Sequence, residues 1–304
     1  MAEGDTPTVA RRRVRLAIRE ARDAAGLTQN QVAEAMEWSL SKVIRIENGE
    51  VSISPNDLRP LLGYLGLRDR AAVASLLADA RIARTRQRQA WYQRPEFRVH
   101  MSDALRRLIE YEAELTAMRS YSVYYLPGPF QIPSYAAALT NAWGDELPAE
   151  NIRWLLEARR RRRETIRDRM DSGLLRVTMV LDQSVLERQI GPLDITADQL
   201  QDLHELTSAG LMGIRMLPFD LGSPIANNAS FDLLTLGEGP RDTVMYRENG
   251  TTDELIEDPE ITSRHRERFE QLWQVATSEV DTIDFIKSRL EALRMKQSAR
   301  QSKR

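Results

Sequence analysis

The first third of the chain alternates short apolar stripes at helical spacing with residues that start or stop helices. Thr28 and Ser39 are good N-caps, and the Asn48-Gly49 pair supplies a left-handed helix end. Between the two caps, Glu37 and Trp38 leave room only for a sharp turn. The pattern predicts an all-α domain of four or five helices, over residues 11–25, after Thr28, after Ser39, over 56–65 and over 69–88.

The helix after Ser39 carries polar residues on the side that faces away from the predicted core. Helix pairs of this kind place their second helix in the major groove of DNA. We expect three side chains to read base edges. Arg45 would form a bidentate pair with guanine, Ser41 would hydrogen-bond to any of several bases, and Leu40 would contact a thymine methyl group. We expect backbone contacts from the polar residues around the pair: Gln29, Ser39, Lys42, Arg11, Arg12 and Arg13. The alternative is a helical hairpin whose polar face is only solvated; agreement of caps, turn and polar face favours DNA.

The segment from Arg11 to Leu67 resembles the XRE family of helix-turn-helix repressors, whose domain is lambda-repressor-like. The motif runs from Thr28-Gln29 to Glu47-Asn48-Gly49. The resemblance implies an ion pair between Arg22 and Glu47 that joins the first and third helices. The sequence departs from the family at Glu37, where Gly is frequent. A left-handed Glu costs about 1 kcal/mol, so we expect a turn of different shape.

Length and charge extend this picture to a second domain. The 304 residues exceed what the small domain needs, and they predict a helix-turn-helix domain over 1–88, a linker over 89–101, a C-terminal domain over 102–295 and a disordered basic tail over 296–304.

The formal charge is unevenly distributed along the chain. Residues 1–98 hold 17 Lys and Arg against 12 Asp and Glu, a net charge of +5, and the remainder has a net charge of −7. So small an excess predicts salt-sensitive binding by a homodimer on an inverted repeat.

Beyond residue 101 helix and strand patterns alternate, which predicts an α/β or α+β domain with a sheet of about four strands. Helices are predicted over 102–119, 134–141, 148–171, 196–208, 260–276 and 280–295, and strands over 174–181, 213–219, 230–236 and 243–248. The apolar stripe of the last helix either pairs with a second copy or, more commonly, packs on its own domain.

Three polar or Pro-rich segments of the chain leave two interpretations each. The arginines at the end of 69–88 form either a solvated connector or a phosphate-contacting arm. The Pro-rich segment 124–135 either walls a pocket or covers a core. Five arginines over 159–163 spread around a helix, so they predict a charged face with acidic neighbours more than a second DNA site.

The C-terminal part carries a second resemblance. The stretches YLPGPFQIPSYAAAL, LDQSVLERQIG, IRMLPFD and FDLLTL, within about residues 100–290, are similar to the C-terminal domain of uncharacterised function in actinobacterial XRE regulators of the WhiJ kind. This resemblance implies a developmental or antibiotic-related regulator with a small protein partner of the BldB kind. The order of elements is also similar to phospholipase D-like domains. Their nucleophilic His, followed two residues later by Lys, has no match here, so a shared fold would lack that chemistry.

Composition argues against catalysis and against metal sites. The chain has no Cys, and its three His, at 100, 204 and 265, are widely spaced. Adjacent carboxylates at 253–254 and 257–258 fall in a predicted polar loop, where solvated charge is the default. No phosphate loop or nucleophile elbow occurs. We therefore predict no catalytic residues, no metal and no cofactor.

The predicted function is a DNA-binding transcriptional regulator, with repression as the expected direction, whose C-terminal domain binds a small protein partner or a ligand. The absence of an 18-residue apolar run and of a signal-like apolar segment near the N-terminus predicts a cytoplasmic, nucleoid-associated protein without membrane contact. One alternative is an antitoxin-like, autoregulating member of a gene pair. Another is an enzyme regulated by its own DNA-binding domain.

Overall fold

A computed structural model describes residues 7–85, 90–142, 148–221, 229–237, 242–248 and 252–302, and the chain divides into two compact units, residues 1–90 and 91–304. The described part of the N-terminal unit is helical throughout, as the apolar periodicity predicts. Its helices are α1 Pro7–Ala24, α2 Gln29–Ala35, α3 Leu40–Glu47, α4 Pro55–Tyr64 and α5 Arg70–Ile82.

Side-chain caps fix where the helices of the N-terminal unit begin. Thr28 forms a capping box with Gln31, and Ser39, Ser54 and Asp69 each accept a backbone N–H of the helix that follows. The helices close around one apolar core that includes Val14, Ile18, Val32, Val43, Ile46, Leu58, Leu61, Leu62 and Leu77. Helix α5 ends at Ile82, short of the predicted residue 88, and residues 86–89 lie outside the described ranges.

The turn between α2 and α3 keeps a left-handed residue. Glu37 has φ +55° and is the one residue other than Gly with positive φ in the described part of the chain. The Trp38 N–H donates to the carbonyl of Ala33 at 2.8 Å, which closes the end of α2. Glu37 therefore takes the strained conformation that we expected the turn to avoid.

The C-terminal unit is built on a mixed sheet of six strands. The strands are β1 Ala117–Ser122, β2 Arg176–Asp182, β3 Met212–Leu217, β4 Phe231–Thr235, β5 Thr243–Glu248 and β6 Asp253–Ile256. Their order is β3-β2-β1-β4-β5-β6; the first three are parallel, and β4, β5 and β6 are antiparallel to their neighbours. The helices are α6 Pro95–Arg98, α7 Asp103–Glu112, α8 Pro133–Asn141, α9 Ala149–Asp171, α10 Gln183–Glu187, α11 Leu193–Ser208, α12 Pro259–Val275 and α13 Glu279–Gln301.

The predicted count of about four strands is too low because β1 and β6 were missed. The helix predicted over 102–119 ends at Glu112, and its last residues belong to β1, the central strand. Strand β6 has the sequence DELI, whose two carboxylates indicated a loop. The prediction of a disordered tail from residue 296 is also wrong, since α13 continues to Gln301.

Both faces of the sheet carry buried apolar side chains. One face packs Tyr121, Val180, Phe231 and Met245 against Phe269 of α12. Because side chains alternate along a strand, the opposite face carries the intervening residues. There, Ser120, Asp232 and Tyr246 are cross-strand neighbours on β1, β4 and β5. This opposite face is otherwise mostly apolar, with Met118, Met179, Ile214 and Leu234 among its buried residues, so the three residues form a polar row within it.

Candidate nucleic-acid interface

The outward face of α3 is formed by Leu40, Ser41 and Arg45, and Asn48 follows just beyond the end of the helix. Leu40 is 41% exposed, the Arg45 side chain is 55% exposed, and Ser41 and Asn48 are also exposed. The opposite face of α3 inserts Val43 and Ile46 into the core. The structure therefore presents the three predicted base-reading residues together on one rigidly held helix.

Asn48 and Glu50 extend this outward face, and sequence reasoning missed them. Asn48 Nδ2 donates to Glu50 Oε1 at 3.2 Å, and Arg45 Nε lies 3.7 Å from Glu50 Oε2. The Asn48-Gly49 pair indicated only a helix end, although an Asn three residues after a base-reading Arg can pair with adenine. Glu50 holds both side chains in a common position at the end of α3.

Lys42 lies beside the outward face rather than on it. Its ammonium is 3.8 Å from the centroid of the Trp38 ring and 3.4 Å from Asp57 Oδ2. These contacts hold Lys42 near the start of α4. Ser39 is exposed, and its hydroxyl accepts the Lys42 backbone N–H. Phosphate contacts by these two residues stay a prediction.

An internal polar network supports the back of the helix pair. Arg22 donates from Nε to Glu47 Oε1 at 2.7 Å and from Nη2 to Glu47 Oε2 at 3.0 Å, with Glu47 buried. The hydrogen bond that Arg22 donates to Glu47 raises the pKa of Arg22. Gln29 Nε2 also donates to Glu47 Oε2, at 2.8 Å, so one amide hydrogen of Gln29 is used inside the unit. The predicted phosphate contact must come from its second hydrogen.

The arginine run of α1 does not form the predicted phosphate-contacting patch. Arg12 is 2% exposed, so the prediction that it contacts the DNA backbone is wrong. Arg11 Nε donates to Ser52 Oγ, and Arg13 Nη1 lies 3.8 Å from Asp79 of α5. Three consecutive helical residues spread over about 200°, so one of them must turn inward. Phosphate contacts by Arg11 and Arg13 stay a prediction.

In the C-terminal unit the run of five arginines divides between surface and interior. Arg160 and Arg161 pair with Glu157, whose pKa the Arg160 hydrogen bond lowers to about 2. Arg163 pairs with Asp202 of α11. These three residues fit the predicted charged face. Of the other two, Arg162 is buried, and Arg159 is partly buried and donates from Nη1 to the hydroxyl of buried Thr140, which the sequence prediction missed.

Arg162 forms a buried ion pair with Glu112 of α7. Its Nε and Nη2 lie 2.9 Å and 2.8 Å from the two carboxylate oxygens, and the residues are 8% and 1% exposed. Burial lowers the pKa of Arg162, but the charge and hydrogen bonds of Glu112 raise it further, so the net direction is upward. Burial also disfavours the charged form of nearby Asp232, and for a carboxyl group this raises the pKa, to about 7. The interior of this unit thus holds charges that are costly to bury.

The Pro-rich segment covers a core. Leu126 and Phe130 are 3% and 2% exposed, and Gln199 of α11 donates from Nε2 to the Phe130 carbonyl. Gly128 lies against Arg162, where an added Cβ would be 3.2 Å from Nη1. The segment therefore seals the unit above the buried ion pair.

Two family models match the chain. Residues 14–76 match a model described as Helix-turn-helix domain, and residues 105–288 match Domain of unknown function (DUF5753). The second match spans more than half of the chain. The chain belongs to the DUF5753 family. No curated protein and no solved structure matches it.

The DUF5753 match begins within α7 and ends within α13, so it includes all six strands of the sheet. The helix-turn-helix match includes α2, α3 and α4 complete. Helix-turn-helix domains bind DNA, and this one indicates a DNA-binding regulator. The described residues include no group of three or more His, Asp or Glu side chains placed to hold a metal. None of the helices described is long and apolar enough to cross a membrane.

Proposed function

We propose that this DUF5753 protein is a sequence-specific transcriptional regulator of the XRE type that represses by inserting α3 into the major groove. The observation that carries the proposal is the outward face of α3, where Leu40, Ser41 and Arg45 are exposed on a helix whose other side is locked into the core. Arg can form a bidentate pair with guanine, Ser can hydrogen-bond to several bases, and Leu can contact a thymine methyl group.

The proposal includes a homodimer on an inverted repeat. Residues 1–98 have a net charge of only +5, which supports few phosphate contacts per chain. Two chains double the contacts and read two half-sites about 34 Å apart. The acidic remainder of the chain is proposed to modulate binding through a ligand or a small protein partner of the BldB kind, as in WhiJ-like regulators. Such a regulator would act on the nucleoid in the cytoplasm.

The experiment is selection of DNA by the full-length protein from a library of random duplexes, followed by sequencing. We expect enrichment of one motif with two inverted half-sites spaced by one helical turn. Sedimentation on the selected duplex should give two chains per site. Sequences no different from the input library would contradict sequence-specific binding, and one chain bound without cooperativity would contradict the dimer.

A further inference from the structure

The chain reverses direction directly after α3 and brings Glu50 back beside Arg45. Gly49 has φ +74°, and its N–H donates to the Ile46 carbonyl at 3.0 Å. The Glu50 N–H donates to the Arg45 carbonyl at 2.9 Å. These two bonds form a Schellman motif, in which the residue after the Gly lies against the helix one turn earlier. An added Cβ at Gly49 would be 2.8 Å from Arg15 Cδ, so a side chain there would collide as well as strain the backbone. The backbone therefore fixes Glu50 next to Arg45.

Glu50 makes an ionic contact where Schellman motifs commonly have an apolar one. Its Oε2 lies 3.7 Å from Arg45 Nε, and its Oε1 accepts a hydrogen bond from Asn48 Nδ2 at 3.2 Å. The side chains of Arg45 and Glu50 are 55% and 45% exposed, and an exposed ion pair contributes little to stability. Folding stability therefore does not account for an acid at this position.

The contact with Glu50 leaves the terminal nitrogens of Arg45 available for a base. Bidentate pairing with guanine O6 and N7 uses two N–H groups of the guanidinium. Because Glu50 approaches Arg45 at Nε, the edge formed by Nη1 and Nη2 can still make that pair. Asn48 holds the same carboxylate through its other oxygen. Asn48 and Glu50 therefore position Arg45 without occupying the edge that would read guanine.

The carboxylate of Glu50 also changes which part of DNA attracts Arg45. An exposed Arg can pair with a guanine, which depends on sequence, or with a phosphate, which every sequence offers. Phosphate is an anion, so a carboxylate 3.7 Å from the guanidinium repels it and offsets much of the attraction. Guanine O6 and N7 belong to a neutral base and are repelled much less. Glu50 therefore weakens phosphate contacts by Arg45 more than it weakens a guanine contact.

We propose that Glu50 is a positioning and specificity-determining residue, which keeps Arg45 away from phosphates and directs it to a guanine in the major groove. This role rests on the proposed function, because it requires that α3 faces DNA. It deepens that function by naming a guanine in each half-site and the residue that enforces its recognition. Specificity is a difference between two affinities, so an acid that lowers affinity for unmatched DNA increases discrimination.

The test compares full-length wild type and Glu50→Gln on the selected duplex and on a scrambled duplex, by fluorescence anisotropy at several salt concentrations. Glu50→Gln keeps the shape of the side chain and removes its charge. We expect it to bind the scrambled duplex at least threefold more tightly. The slope of log K against log salt should steepen by about one for each chain, since Arg45 gains a phosphate contact. The preference for the selected duplex should fall at least fivefold, and the loss should lie at the guanine whose recognition Arg45→Ala also removes.

Two controls separate this role from a general effect of charge. Glu20→Gln removes the same charge from the exposed surface of α1 and should leave the preference within twofold. In an Arg45→Ala background, Glu50→Gln should not change the preference further, because Glu50 acts through Arg45.

Three results would overturn the role of Glu50. They are a wild-type preference in Glu50→Gln, an equal loss of affinity for both duplexes, and a fall in preference that is as large without Arg45 as with it. A wild type with no preference overturns the proposed function as well. The wild-type and variant measurements therefore distinguish the two failures.

Discussion

Glu37 has an unfavourable backbone conformation at the turn between α2 and α3. With φ +55° it occupies the left-handed region that Gly adopts without strain. We expect Glu37→Gly to raise the free energy of unfolding by about 0.5–1 kcal/mol, measured by urea denaturation. Glu34→Gly, an exposed change inside α2, should lower it by about 1 kcal/mol. A loss of stability in Glu37→Gly would show that the Glu37 side chain contributes more than its backbone costs.

Asp232 makes the stability of the C-terminal unit depend on pH. Burial raises its pKa from 3.8 to about 7, so the folded state binds the proton more tightly than the unfolded state. The stability from the protonated carboxyl is therefore complete below about pH 4 and is lost as the pH rises through 7. We expect Asp232→Asn to be more stable than the wild type at pH 8, by up to about 4 kcal/mol, with the difference vanishing near pH 4.

The measurement for Asp232 is urea denaturation at several pH values from 4 to 8. Asp220→Asn serves as the matched control, because Asp220 is exposed. A difference between Asp232→Asn and the wild type that does not change with pH would contradict the raised pKa. So would an equal pH dependence in the Asp220→Asn control.

Single residues were predictable from sequence where the physical cause is local. Thr28 and Ser39 cap helices through hydrogen bonds to their own neighbours, so pattern alone locates them. Arg12 was predicted to contact the DNA backbone and Arg162 to belong to a charged face, although both are buried. Which residue of an arginine run turns inward depends on the rotation of the helix against its neighbours, and that rotation is set by packing far away in sequence.

Between elements, the Arg162–Glu112 pair joins α9 to α7 beneath the Pro-rich segment. Arg162→Gln would leave the Glu112 carboxylate buried without its partner. We expect a loss of about 3–5 kcal/mol in the free energy of unfolding, measured by urea denaturation. Arg160→Gln should change it by less than about 1 kcal/mol, since its ion pairs are on the surface. An equal effect of the two substitutions would show that the buried pair does not hold these helices together.

Helices and strands were predictable from the sequence where a single periodicity of apolar residues extends over a long segment. Helix α9 spans the predicted range almost to the residue, and the strand cores of β2 to β5 fall within their predicted ranges. Strand β1 was absorbed into a helix prediction because AMRSYS has no clear apolar alternation. It lies between two strands, and four of its six residues are buried, so its strand identity depends on partners brought from residues 176 and 231 onward.

At the scale of the molecule, the sign of the net charge and the type of fold both change near the boundary between the two units. The basic helical unit ends near residue 90, and the acidic unit with the mixed sheet follows. The sequence prediction was a helix-turn-helix domain over 1–88 and a second domain over 102–295, based on length, composition and the change of pattern between them. The polar row of Ser120, Asp232 and Tyr246 in the second unit could not be predicted, because these residues are adjacent only through strand pairing.

DNA binding by the Arg45→Ala variant is the most direct test of the central claim, which is that α3 reads DNA sequence. Fluorescence anisotropy at fixed salt would compare the selected duplex with a scrambled duplex. We predict that Arg45→Ala loses about 1–3 kcal/mol on the selected duplex and much less on the scrambled one. Arg19→Ala, which removes the same charge from the exposed surface of α1, should keep its preference between the two duplexes. Unchanged affinity and unchanged sequence preference in Arg45→Ala would contradict base reading by α3.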